Sequence, residues 1–312
     1  MPAPDLFWSA SRVAGPAPIR VTGRWRHRHS RELRLEGLSN GPGTHRGASG
    51  VIATAQLADG LPDGAPLILI VHGYAVPVPF WDVLQARALR RAGAHTMLID
   101  LPFHLRRRAP GRRSGDGFFS ADPAHILATI RQSVEDAAAL VAWARRDVTP
   151  CVGVVGVSLG GLVGALLAAR VPLDAAMLVA PLCDAPSTFM QMLPRNAQRR
   201  LGIRGGRGGQ WGADRTSARE RLDAALAPIV PRNLVPATQP SRITLVHPQH
   251  DRIVGAEPVA ELARAWGVEM WDYPYGHITV MNAPGIGARM RERVMDTLLD
   301  RSATDGRLFS AR

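Results

Sequence analysis

The chain has 312 residues, of which 46% are hydrophobic and 21% charged, a balance that excludes a disordered or fibrous polymer and leaves a globular chain able to bury a large core. Its formal net charge of +12 would ordinarily point to nucleic acid or an anionic membrane. All 38 basic residues are arginine, however, and with 31 Gly and 25 Pro the charge reads as compositional bias, so nucleic acid is not expected as a partner.

Residues 1–60 are dense in Gly, Pro and Arg, and only VIATAQL (51–57) has a strand pattern, so this region is expected to form an antiparallel edge. The RWRHRHSRELR run (24–34) fits an edge strand exposed to water better than a nucleic-acid strip, because no recognised binding motif accompanies it. From residue 61 on, short apolar runs alternate with helical patterns. LILIV (67–71), HTMLI (95–99), CVGVVGV (151–157), AAMLV (175–179), RITLV (242–246) and VEMWD (268–272) read as strands of a mainly parallel sheet covered on both faces. Ile126, Ile130, Val134, Ala138 and Val141 recur at helical spacing behind Asp122 and Pro123, a cap and first turn. The α/β core is expected over 61–183 and 241–302, with a tail over 303–312. Between them, residues 184–240 are too many for an ordinary connection and are expected to form a helical lid or cap insertion.

The run CVGVVGVSLGGLVGALLAAR (151–170) has the length and apolarity of a membrane span, but its glycines and strand-like first third would make a poor spanning helix. Divided into strand, turn and helix, it places Ser158 at a sharp turn within Gly156-Val157-Ser158-Leu159-Gly160. Such a turn forces the serine into strained backbone angles and aims its hydroxyl out of the sheet, and the flanking residues must be small for strand and helix to meet. Free amides and the helix dipole at the start of the following helix favour negative charge developing there.

On these residues the chain resembles the α/β-hydrolase superfamily over roughly residues 50–300. Three further motifs follow in that family's order. His72-Gly73 ends LILIVHGY, and the resemblance implies an oxyanion hole made by the backbone N–H groups of Tyr74 and Leu159. Asp251, in HPQHDRIV after a late strand, is the implied acid, with Asp184 after MLVAPLCD as the rival position. His277, in YPYGHITV after the last strand, is the implied base, with His247 and His250 as decoys. The chemistry needs all three groups, because a serine hydroxyl attacks only when a base takes its proton and an acid orients that base.

The resemblance therefore implies an α/β-hydrolase fold and a serine hydrolase acting on a small-molecule or lipid-like acyl ester, with a thioester, amide or lactone nearly as compatible. The rivals from other classes are a hydrolase-like binding protein without activity, against which the intact serine, aspartate and histidine speak, and a basic nucleic-acid binder led by its charge, which salt-sensitive binding to DNA or RNA would reveal. No cofactor or metal is implied. Cys151 and Cys183 are too few for a disulfide framework or a structural zinc site and read as buried thiols. MPAPDLFWSA has neither the basic nor the apolar region of a secretory signal, so a cytoplasmic location is expected.

One loop stands out. DLPFHLRRRAPGRRSGDGFFS (100–120) follows the strand at 95–99, and in parallel α/β sheets ligands bind outside the carboxyl ends of strands. His104, Arg106, Arg107 and Arg108 are thus candidates to grip an anionic substrate group, the alternative being a solvated loop in an arginine-biased chain. A branch of bacterial hydrolases, akin to the animal α/β-hydrolase-domain-containing protein 18, is similar here in its Leu-Pro-aromatic-His followed by arginines.

Overall fold

The computed structural model describes residues 7–8, 18–39, 50–120, 122–192 and 220–309. Three antiparallel strands open the chain: β1 (Arg20–His27), β2 (Ser30–Leu38) and β3 (Gly50–Ala58). β3 pairs antiparallel with β5 (His95–Asp100), which lies beside β4 (Leu67–Val71). From β4 the sheet continues in parallel through β6 (Val152–Val157), β7 (Ala175–Val179), β8 (Ile243–Pro248) and β9 (Glu269–Tyr273). The nine strands run in the order β1-β2-β3-β5-β4-β6-β7-β8-β9.

Burial explains why some strands are plain in the sequence and others are not. Every residue of β4 and β7 is buried, as a parallel strand covered on both faces demands, and the sequence there is a continuous apolar run. β3 alternates buried with half-buried positions, while β1 buries no residue at all. Its Arg and His side chains face water, and it is held by its ladder to β2.

Helices cover both faces. α1 (Phe80–Arg91) and α6 (Ile286–Phe309) pack on one side, where Ala86, Leu89, Ile286, Met290 and Val294 meet Ile68, Ile70 and Val155 of the sheet. α2 (Pro123–Asp147), α3 (Leu159–Ala168) and α5 (Glu257–Trp266) pack on the other, against Leu67, Leu69, Val71, Val152 and Val154. α2 starts as its sequence dictates: the Asp122 carboxylate accepts from the Ala124 N–H at 2.9 Å, and Pro123 fills the first turn. A short helix, α4 (Ala185–Met192), follows β7. Residues 193–219 of the expected lid lie outside the described residues.

The run that had the length of a membrane span divides into β6 and α3, and α3 is only ten residues long. Among the described residues no helix is long and apolar enough to cross a membrane. Both cysteines are buried free thiols, and burial pushes the Cys183 thiol well above the usual range.

Candidate active site

Ser158 connects β6 to α3 with φ 54° and ψ −113°, left-handed angles that side chains rarely adopt and that cost on the order of 1–3 kcal/mol. The turn is pinned from several sides. The Ser158 N–H donates to the Val179 carbonyl at 2.9 Å, and the Ser158 carbonyl accepts from Leu162 and Leu182 at 3.0 and 3.1 Å. The glycines on either side are required by space: a Cβ on Gly156 would overlap the Gly160 carbonyl, and one on Gly160 would overlap the carbonyls of Val71 and His72. Strand, helix and the end of β4 therefore converge on the serine.

Parallel pairing brings the remaining groups to the same edge of the sheet. His277 Nε2 lies 2.8 Å from Ser158 Oγ, and His277 Nδ1 lies 2.6 Å from Asp251 Oδ2. Asp251 follows β8 and is held by its second oxygen, which accepts from the backbone N–H groups of Ile253 at 2.8 Å and Val254 at 3.0 Å. Burial pushes the Asp251 carboxyl up, but the hydrogen bonds from His277 and from these two amides outweigh it and leave the carboxyl below its ordinary value. A carboxylate so held stays ionised and fixes the proton of His277 on Nδ1, leaving Nε2 to accept from the serine hydroxyl.

The competing residues are occupied elsewhere. Asp184 Oδ1 accepts from the Ser187 N–H at 3.2 Å, at the start of α4. His247 joins Asp272 at 2.6 Å and the Ala256 carbonyl at 3.0 Å. The Leu159 N–H belongs to the first turn of α3, where helix geometry leaves it without a partner, and Tyr74 follows Gly73, on which a Cβ would come within 3.7 Å of Ser158 Cβ. Neither amide has a hydrogen-bond acceptor among the described residues.

Residues 68–302 match the model of the Alpha/beta hydrolase family. The chain belongs to the α/β-hydrolase family. Solved structures with a similar fold include acetyl xylan esterase 1 from a Thermoanaerobacterium species, with a TM-score of 0.67 and 16% identity over 94% of this chain and 93% of that one. An acetyl xylan esterase from a Paenibacillus species gives 0.63 and 16% over 92% and 93%. A cold-adapted esterase from an Arctic intertidal metagenomic library gives 0.53 and 17% over 88% and 99%. No curated protein matches the chain by sequence, and the likeness to the animal α/β-hydrolase-domain-containing protein 18 rests on the loop residues alone.

In this α/β-hydrolase the three arginines of the loop after β5 have different partners. Arg107 is buried, its side chain 2% exposed, with Nη1 2.8 Å from Asp136 of α2 and 3.0 Å from the Asp100 carbonyl. Arg106 holds both oxygens of Asp100, at 2.8 and 3.0 Å, and reaches Thr54 at 3.0 Å. Arg108 is exposed and donates to the Leu105 carbonyl at 2.8 Å. The expectation of three arginines turned toward substrate is corrected for Arg107, which serves the interior because Asp136 is there to receive it; Arg106 is exposed but matched by Asp100, and Arg108 is exposed with the Leu105 carbonyl as its partner.

His104 is corrected too. It is fully buried, and both ring nitrogens are taken: Nδ1 donates to the Pro102 carbonyl at 2.8 Å and Nε2 accepts from the Ala75 N–H at 3.0 Å. Burial, with His72 nearby, lowers its pKa to about 3, so the ring is neutral and suited to accept. His72 reciprocates. Its Nδ1 donates to the Gly73 carbonyl at 2.7 Å, and its Nε2 accepts from the Leu101 N–H at 3.1 Å. Each loop thus supplies a histidine that receives an amide of the other, and Tyr74 is held between His104 and Phe119. His72 was visible in the sequence as half of His-Gly, but its pairing with a loop 29 positions away was not.

Among the described residues no group of His, Cys, Asp and Glu could hold a metal ion.

Proposed function

We propose that this α/β-hydrolase is a serine esterase that cleaves a carboxylic ester through a covalent acyl-enzyme. The observation that carries the reading is the unbroken hydrogen-bond chain from Ser158 through His277 to Asp251 at a strained strand-to-helix turn. Ser158 Oγ attacks the ester carbonyl as His277 Nε2 takes its proton, and the Asp251 carboxylate steadies the imidazolium that forms. The N–H groups of Tyr74 and Leu159 receive the negative charge that builds on the carbonyl oxygen. Collapse of the tetrahedral intermediate breaks the bond to the alcohol, which leaves with the proton from His277. Water then enters, gives its proton to His277 and releases the acid by the reverse steps. The reciprocal histidines His72 and His104 hold the Tyr74 loop in place, which keeps its amide aimed before substrate arrives. The acetyl xylan esterases of similar fold make a short acyl chain a sensible first substrate to try.

The test is turnover of a short-chain aryl ester. Ser158→Ala and His277→Ala are each expected to lower kcat by about 10³ or more with the melting transition retained. Near-normal turnover in either purified variant overturns the assignment.

A further inference from the structure

A cavity of about 380 Å³ lies between α1 and the sheet, and Ser158, Asp251 and His277 are not part of its lining. Its volume is within the range of small-molecule sites. One stripe of α1 forms a wall: Asp82, Val83, Ala86 and Arg90, spaced to share a helix face, with Ile70 and Leu98 opposite on β4 and β5.

The two ends of that stripe carry unmatched charge. Asp82 is 4% exposed, and its carboxyl accepts only from its own backbone N–H among the described residues. Arg90 donates to the Thr96 hydroxyl at 3.0 Å but makes no ion pair among the described residues; burial, with Arg87 and Arg91, works against its charge and outweighs the support it has from Glu32. Eight residues of helix separate them, about 12 Å of rise, too far for either to satisfy the other. A group that wants a donor and a group that wants an anion therefore face one apolar chamber from opposite ends.

We propose that this cavity binds a small amphiphilic hydroxy acid, its carboxylate on Arg90, its apolar body along Val83, Ala86, Ile70 and Leu98, and its hydroxyl donating to Asp82. The lining favours an anion over a zwitterion, because Arg90, Arg106 and Arg108 face only Asp82 and Asp100. A hydroxyl is also cheaper to desolvate than an ammonium in such a chamber. The inference is independent of the esterase reading, since the two sites share no catalytic group.

The test is calorimetric titration of the full chain with 8-hydroxyoctanoate, whose length suits the helix span, beside octanoate and 8-aminooctanoate. Wild type is expected to bind the hydroxy acid most tightly. Arg90→Gln is expected to weaken both octanoate and the hydroxy acid by about tenfold or more, and Asp82→Asn to bring the hydroxy acid down to the level of octanoate. A diazirine-bearing analogue places the ligand in wild type without any substitution, with label expected on residues 80–91. Absence of millimolar binding, affinities unmoved by both substitutions, label elsewhere, or loss of binding after Ser158 is capped by a fluorophosphonate overturns the proposal. Activity lost in Ser158→Ala with hydroxy-acid binding intact separates this site from the catalytic one.

Discussion

Asp251 and Asp184 both follow strands of the parallel sheet, and only the first reaches His277, at 2.6 Å, while the second accepts from an amide at the start of α4. Asp251→Asn is expected to lower kcat by about 10³ or more, because an amide in that place leaves the wrong tautomer on the imidazole, and Asp184→Asn to change it less than about threefold. Steady-state turnover of both variants checks the ranking, and the reverse order would contradict it. At this scale the sequence was legible where a residue sits in a motif with a fixed offset from a strand. Ser158 is announced by its glycines, and these have a steric cause in the carbonyls of Gly160, Val71 and His72. It was not legible where a side chain could turn either way. The three successive arginines are identical as letters, yet Arg106 finds Asp100 6 positions back, Arg107 finds Asp136 29 positions ahead, and Arg108 stays exposed. His104 looked like a polar group at the mouth of a site because nothing in the chain announces that Ala75 and Pro102 occupy both its nitrogens.

The strands that position the site were readable as elements because burial on both faces leaves a continuous apolar run, as in β4 and β7. β1 was readable only in part, as an exposed edge strand over 24–34 that runs across the turn into β2, since no residue of β1 is buried and its hydrophobic pattern is therefore absent. The loop between β5 and α2 is the element whose role changes most between sequence and structure. Arg107 fastens it to α2 through a pair in which the side chains are 2% and 1% exposed, and Asp136 also accepts from the Ser39 hydroxyl at 2.8 Å. Burial pushes the Asp136 carboxyl up even with Arg107 beside it, so its charge depends on that partner. Arg107→Ala is accordingly expected to cost about 3–5 kcal/mol in urea melts, while the double change Arg107→Met with Asp136→Leu, which leaves no orphaned charge, is expected to recover most of it. A loss below about 1 kcal/mol in the single variant would mean that the loop is anchored by its aromatic contacts instead.

Across the whole molecule, arginine is used structurally as well as for charge. Besides its ion pairs, Arg289 stacks 3.9 Å above Trp271 and Arg170 lies 4.5 Å above Trp8, uses in which lysine is a poor substitute. The fold also carries a pH-dependent cost. Burial raises the Asp82 carboxyl from 3.8 to about 6, so between those values the folded chain binds a proton that the unfolded chain has released, and stability falls as pH rises. Asp82→Asn is therefore expected to match wild type below about pH 4 and to gain stability above about pH 6, by at most about 3 kcal/mol. Denaturant melts across that range check the sign; a variant that is less stable at neutral pH would contradict it.

The central claim is that Ser158 carries the acyl group, and intact-protein mass after exposure to a fluorophosphonate tests it most directly. One adduct per chain is expected, mapped to the peptide containing Ser158, absent in Ser158→Ala and strongly slowed in His277→Ala. Unchanged labelling of the Ser158→Ala protein, or an adduct on another residue of the wild type, would contradict the account.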